Sequence, residues 1–88
     1  MSVRISNKTD LQICALFKRE REAHGLSQHQ AAPILGVTNS AVARWDAEMG
    51  APSTDTLITI MMDSKAQWAR ELALRCLNLR YPKVFLLK

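Results

Sequence analysis

The stretch from Ser27 to Trp45, SQHQAAPILGVTNSAVARW, most constrains how this chain can fold. Its residue types predict two short helices joined by a tight turn. The small Ala32 lets the two helices approach closely, and Gly36 supplies the turn because it has no side chain to strain a backbone at positive φ. Val42 and Trp45 are three residues apart, so they place one apolar stripe of the second helix in a core.

Five residues of this stretch stand at positions 1, 5, 9, 15 and 18 of a unit that begins at Gln28: Gln28, Ala32, Gly36, Val42 and Trp45. This spacing closely resembles the helix-turn-helix of the Cro and phage-repressor family, also called lambda-repressor-like or XRE-type domains. The flanking segments GLSQ (25–28) and APSTDTL (51–57) agree with it, and the resemblance covers roughly residues 17–62. It implies an all-α, five-helix domain with double-stranded DNA as its partner.

Capping residues predict where the first two helices begin and end. The first is expected to begin near Thr9, which forms a capping box with Gln12, and to stop at Gly25. A second capping box, of Ser27 and Gln30, starts the next helix. The proline at position 33 removes a backbone N–H inside that helix, so we expect a distortion there or a tighter first turn.

Two further helices follow the turn. Thr38 is the expected N-cap of a third helix from Asn39 to about Glu48, and Ser53 or Thr54 caps a fourth. The fourth helix should be largely buried because its apolar residues surround its axis. These are Leu57, Ile58, Ile60, Met61 and Met62.

The C-terminal segment carries more apolar surface than one small core needs. We expect a single domain over 1–88, with a four-helix core over 9–64 and a dimerisation segment over 65–88 that begins with a fifth helix. The expected dimer interface consists of Trp68, Leu72, Cys76, Leu79, Val84, Phe85 and Leu86. The apolar end, 84–87, is a candidate short strand that pairs with a second subunit or with residues 3–5. The alternative is that all these residues cover the monomer's own core.

Charge is unevenly distributed along the chain, whose net charge is +4. A basic protein suits a polyanionic partner. Residues 26–64, however, carry only Arg44 against Asp46, Glu48, Asp55 and Asp63, a net charge of −3. Phosphate neutralisation is therefore expected from the first helix, the C-terminal segment or helix-terminal N–H groups.

Several classes of protein do not fit this sequence. No apolar run approaches a membrane span and the N-terminus lacks a signal peptide, so we expect a cytoplasmic protein without a membrane partner. Cys14 and Cys76 lack metal-ligand spacing and are expected to be buried, reduced thiols. His24 and His29 are expected at the surface. We find no catalytic constellation, metal site or cofactor motif, and therefore expect no enzyme.

The resemblance assigns roles to residues around the third helix, which in this family lies in the DNA major groove. It implies base contacts from Asn39, Ser40 and Arg44, and an apolar contact between Ala43 and a thymine methyl group. Thr38 would reach a phosphate or a methyl group. By the same resemblance Gln28 would contact a phosphate and brace the first recognition residue.

Three of the assigned roles have a structural alternative. Asn39 and Ser40 are also ordinary first-turn residues of a helix, and Arg44 could pair with Glu48 four residues later.

These observations favour a sequence-specific transcriptional regulator, expected to be a homodimeric repressor that binds palindromic operators. The short chain is expected to leave no room for a ligand-sensing domain. One rival is an antitoxin-type protein whose C-terminal segment binds a partner protein. Another is an activator that contacts RNA polymerase through Asp46 and Glu48.

Overall fold

The structure is a computed structural model that describes residues 7–84, and this part of the chain is all α-helical. Its five helices are α1 (Lys8–Ala23), α2 (Gln28–Leu35), α3 (Asn39–Asp46), α4 (Thr54–Asp63) and α5 (Gln67–Arg80). The predicted five-helix, all-α fold is confirmed. The prediction of a strand over 84–87, and of its pairing with residues 3–5, falls almost entirely outside the described residues.

Local hydrogen bonds set both ends of α2 and the start of α3 as the sequence predicts. Ser27 Oγ accepts from the Gln30 N–H at 3.1 Å, and Gln30 Oε1 accepts from the Ser27 N–H at 2.9 Å, which completes the capping box. Gly36 closes α2 at φ +71°. Thr38 Oγ1 then accepts from the Ala41 N–H at 3.1 Å and starts α3.

The beginning of α1 differs from the prediction. Asn7 caps the helix, because its Oδ1 accepts from the Asp10 N–H at 3.0 Å, and the capping box of Thr9 with Gln12 is not formed. Asparagine is among the strongest N-caps, so the earlier start costs nothing locally. In the same first turn, the Asp10 carboxylate accepts from Arg80 of α5 at 2.8 Å. A tertiary contact therefore accompanies the shift.

The proline in α2 does not break the helix. Residues Gln28–Leu35 form one α-helix that includes Pro33. Its first turn is regular, because the Ala31 N–H donates to the Ser27 carbonyl at 2.9 Å. The predicted tighter first turn is therefore wrong. The missing N–H costs only the bond to the His29 carbonyl, and the helix ends two residues after the proline.

The end of α3 is two residues earlier than expected. Glu48 lies outside the helix with φ +60°, in the left-handed region that glycine usually occupies after a helix. The chain closes there through a bond from the Met49 N–H to the Arg44 carbonyl at 3.0 Å. A non-glycine residue in this conformation costs about 1 kcal/mol or more.

One core holds the five helices together. α4 packs most extensively on α5, while α1 contacts both α3 and α5. The predicted burial of α4 is correct for Leu57 and Ile60 but wrong for Met62, which is 70% exposed. The buried apolar side chains are Ile13, Cys14, Phe17, Ala31, Ala32, Leu35, Val42, Trp45, Leu57, Ile60, Ala69, Leu72, Ala73, Cys76 and Leu77.

The face of α5 that the sequence assigned to a dimer is largely part of this core. Leu72 and Cys76 are fully buried inside the monomer, so they offer no surface to a second subunit. Trp68 is half-buried and stacks on the His24 ring at 4.5 Å. Of the residues predicted to form the dimer interface, Leu79 and Val84 are exposed. The remaining two, Phe85 and Leu86, lie outside the described part.

Candidate nucleic-acid interface

The exposed side of α3 carries the residues predicted to read DNA. Thr38, Asn39, Ser40 and Arg44 are exposed, and Ala43 is half-buried beside them. Because residues one and four apart lie within about half a turn of each other, these side chains share one side of the short helix. Val42 and Trp45 lie on the opposite side, buried in the core. The packing thus leaves one polar side of α3 facing outward.

Arg44 lies against the loop that follows α3. Its Nη2 is 3.1 Å from the position that a Cβ on Gly50 would occupy, so this glycine makes room for the guanidinium. The ion pairs found within residues 7–84 do not include one between Arg44 and Glu48, the structural alternative for this arginine. Within residues 7–84, Arg44 also has no hydrogen-bond partner through its side chain. The guanidinium can leave this position without breaking a hydrogen bond.

Thr38 and the first turn of α3 carry hydrogen-bond donors that the helix itself does not use. The Thr38 hydroxyl accepts from the Ala41 N–H and keeps its own proton for donation outward. The N–H groups of Asn39 and Ser40 precede the first intrahelical bond and have no partner in the helix. These donors lie at the positive end of the helix dipole, which favours an anion such as a phosphate.

Gln28 makes a contact that the sequence did not predict. Its Nε2 donates to Asp46 Oδ2 at 2.8 Å, so it braces the last residue of α3 and not the first recognition residue. Arg21 of α1 donates to the same carboxylate oxygen at 2.7 Å and also to the Leu26 carbonyl at 2.8 Å. We call Arg21, Gln28 and Asp46 the interhelical clamp, because one carboxylate joins α1, α2 and α3.

Arg21 and Asp46 were not identified as positioning residues from the sequence. On sequence alone, Arg21 is one of several basic residues of the first helix, and Asp46 is one of two acidic residues that an activator could use. The spacing carried a signal, since Arg21 lies four residues after Phe17 and therefore on the helix side that faces the core. Asp46 follows Trp45 directly, and only the fold shows that the two charges meet.

The clamp also changes the charge that α3 presents. The Asp46 side chain is 11% exposed and the Arg21 side chain 13%, so this ion pair is largely withdrawn from the surface. The local excess of negative charge near α3 is thus smaller than the residue count suggests. An activating patch built from Asp46 and Glu48 loses its first member for the same reason.

Other candidate sites have different outcomes. Cys14 and Cys76 are free and buried, as predicted, and burial raises the pKa of the Cys14 thiol to about 11 and that of Cys76 to about 12. His24 and His29 are at the surface. Residues 7–84 contain no group of three or more side chains arranged to hold a metal ion, and no helix there is long and apolar enough to cross a membrane.

Comparison with known proteins identifies the family. The model of a family described as Helix-turn-helix, of the Cro/C1 type, matches residues 17–61, just over half of the chain. The match covers the second half of α1 and nearly all of α2 to α4, and therefore includes the clamp and the exposed side of α3. No curated protein and no solved structure matches the chain. The chain therefore belongs to the Cro/C1-type helix-turn-helix family of DNA-binding proteins.

Proposed function

We propose that this protein is a sequence-specific transcriptional repressor that places α3 in the major groove of its operator. The observation that carries the proposal is the division of α3 into two sides. Val42 and Trp45 anchor one side in the core, while Asn39, Ser40 and Arg44 extend from the other. A recognition helix needs a buried side that fixes its position and an exposed side that reaches the bases, because base contacts are specific only when the helix is held rigidly. In this proposal the protein acts by binding and uses no cofactor or catalytic group.

The exposed side chains have the chemistry to distinguish base pairs. Asparagine can bond adenine N6 and N7 together, and arginine can bond guanine O6 and N7 together. Serine can donate a hydrogen bond to either purine or accept one from it, and the methyl group of Ala43 can contact the thymine methyl. Thr38 and the first-turn N–H groups of α3 would bind phosphate and fix the depth of the helix in the groove. Gln28 would act by holding α2 and α3 together through Asp46.

Base readout predicts a specific pattern of affinity losses. Arg44→Ala and Asn39→Ala should each weaken binding to the preferred site by about 1–3 kcal/mol and relax the preference at one base position. Gln28→Ala should weaken binding to all sequences alike, because it changes helix placement without removing a base contact. The preferred site would be selected from a random DNA library, and affinities for it and for scrambled DNA measured by fluorescence anisotropy at several salt concentrations.

The ratio of the affinities for selected and scrambled DNA shows whether a residue reads a base. If Arg44→Ala binds selected and scrambled DNA with the wild-type ratio, Arg44 does not read a base. If wild-type protein shows no preference for the selected site, the proposal of sequence-specific binding is wrong as a whole.

Repression is favoured over activation by the position of Asp46. Its carboxylate is bonded to Arg21 and Gln28 and its side chain is only 11% exposed, so it offers little surface to RNA polymerase. A bound protein without an activating contact lowers transcription when its site overlaps a promoter. A reporter gene placed behind the selected site should therefore be expressed less, and not more, when the protein is present.

We further propose that the protein binds as a two-fold dimer. One α3 presents only a few base-reading side chains, each of which discriminates by about 1–3 kcal/mol, and this is too little to select one site in a genome. Two copies would double the discrimination and require a palindrome with half-sites about 34 Å apart. Burial of Leu72 and Cys76 leaves the exposed C-terminal end of the described chain, at Val84, as the most accessible apolar contact.

Light scattering tests the dimer directly. Wild-type protein should be dimeric at tens of micromolar, the range of a weak interface. Val84→Asp should shift it to monomer with unchanged helical content, because this side chain is 72% exposed. A wild type that stays monomeric at that concentration and still binds its operator tightly would rule out the dimer. Val84 is a better position than Leu72 for this test, because a substitution at the buried Leu72 would damage the core.

A further inference from the structure

A groove between α1 and α5 is not used by the proposed DNA-binding function. It has a volume of about 440 Å³. Its apolar floor is formed by Ala15 and Leu16 of α1 and by Leu79 of α5, and Leu79 is 37% exposed. The α1 side of the groove runs from Gln12 to Arg19, or two helical turns, which corresponds to about 10 Å at 1.5 Å per residue.

Two arginines line this groove. Arg19 and Arg75 are both exposed, and neither forms an ion pair or hydrogen bond with any residue between 7 and 84. This distinguishes them from Arg21, Arg70 and Arg80, whose guanidinium groups are bonded within the fold. The nearest acidic residue along α5 is Glu71, whose carboxylate accepts from Gln67 at 2.9 Å. The groove is thus an apolar strip with two uncommitted positive charges.

The groove lies on the side of α1 that faces away from α3. Phe17 and Arg21 of α1 contact Trp45 and Asp46 of α3. Residues two apart differ by about 200° around an α-helix, so Ala15 and Arg19 lie on the opposite side from Phe17 and Arg21. A partner in the groove would therefore leave the exposed side of α3 free.

We propose that the α1–α5 groove binds an acidic amphipathic helix of a second protein. Such a helix would lay an apolar stripe on Ala15, Leu16 and Leu79 and place carboxylates beside Arg19 and Arg75. Arginine pairs well with carboxylates because its planar guanidinium can donate two parallel hydrogen bonds. This inference goes beyond the proposed function, since DNA and the acidic helix would occupy different sides of the molecule.

Charge and shape argue against two other occupants. A second copy that packed on the same groove across a two-fold axis would bring four arginines together, and like charges in one interface are repulsive. DNA presents a continuous line of phosphates with no apolar stripe to cover Leu16 and Leu79. The groove also lies away from α3, which the proposal for DNA binding places in the major groove.

Designed peptides can probe the groove without knowledge of the natural partner. The probe is a helical peptide of about 14 residues with leucines on one stripe and glutamates on both flanks. One control peptide replaces every glutamate with lysine, and a second scrambles the leucine stripe. Binding to ¹⁵N-labelled full-length protein would be followed by NMR at low ionic strength, because exposed charges are screened by salt.

The acidic peptide should bind with a dissociation constant below about 100 µM and shift the amide resonances of Ala15, Leu16, Arg19, Arg75 and Leu79. The resonances of Asn39 and Ser40 should not move. Binding should weaken by about tenfold in each of Arg19→Glu and Arg75→Glu, and by much less in Lys83→Glu, an equal charge change at an exposed position outside the groove.

Three results would overturn the proposal. The first is the absence of binding, or equal binding of the lysine peptide. The second is a monomer–dimer equilibrium that Arg19→Glu and Arg75→Glu alter, which would assign the groove to a second copy. The third is a loss of DNA affinity in these variants well beyond that of Lys83→Glu, which would assign the arginines to DNA. The wild-type affinity for selected DNA is measured separately, so failure of the groove proposal is distinct from failure of the DNA-binding proposal.

Discussion

Replacing Trp45 with alanine is expected to lower the free energy of unfolding by about 3–5 kcal/mol, enough to unfold much of a small domain at ambient temperature. Trp45 is only 7% exposed and meets the Phe17 ring edge-on, with ring centroids 5.2 Å apart. Its removal would leave a cavity at the contact between α1 and α3. The melting temperature should fall by more than about 12 °C, measured by circular dichroism.

The second tryptophan provides a matched control. Trp68 is half-buried and packs on the exposed His24 ring, so Trp68→Ala removes the same side chain from a more solvated position. Trp68→Ala should lower the free energy of unfolding by less than half as much as Trp45→Ala. If both variants melt within a few degrees of wild type, Trp45 is not an essential part of the core and the proposed anchoring of α3 is wrong.

Replacing Asp46 with alanine is expected to lower the free energy of unfolding by about 2–3 kcal/mol, because it removes the charged acceptor that the interhelical clamp shares. The Arg21 guanidinium would keep its place at low exposure without a counter-charge, and an unpaired buried charge costs more than the pair contributes. Gln28 would lose its partner at the same time. We also expect weaker DNA binding at temperatures where the variant is folded, because α3 loses a fixed contact with α1 and α2. Urea denaturation and anisotropy measure the two effects.

A comparison with Asp10 separates burial from charge. Asp10 also accepts a hydrogen bond from an arginine, Arg80, but its side chain is 31% exposed. Asp10→Ala should therefore cost about 1 kcal/mol or less. The double variant Arg21→Leu, Asp46→Leu should be more stable than Asp46→Ala alone, because it leaves no unpaired charge. Equal losses for Asp10→Ala and Asp46→Ala would show that the clamp is not stabilised by its burial.

The elements that the sequence predicted correctly are those whose determinants are local. The capping box of Ser27 with Gln30 and the turn at Gly36 depend on residues that are close together in the sequence, and both form as predicted. The burial of Val42 and Trp45 follows from helical periodicity in the same way. Local chemistry thus sufficed to define α2, the turn, the start of α3 and the side of α3 that faces outward.

Three of the features that the sequence mispredicted depend on contacts between distant residues. Asn7 and Thr9 are both acceptable caps, and the choice accompanies a bond between Asp10 and Arg80, 70 positions apart. The wide apolar arc of α5 does not show by itself which part faces the core. That part includes Leu72 and Cys76, because α4 and α1 pack there. Gln28 likewise has many potential partners until the fold places Asp46 beside it.

The two buried cysteines make the native protein almost inert toward alkylating reagents. With pKa values of about 11 and 12, only a minute fraction of either thiol is ionised at neutral pH, and the thiolate is the reactive form. Both sulfurs also lie inside the helical core. The rate at which iodoacetamide labels them therefore measures how often the domain opens in the absence of denaturant.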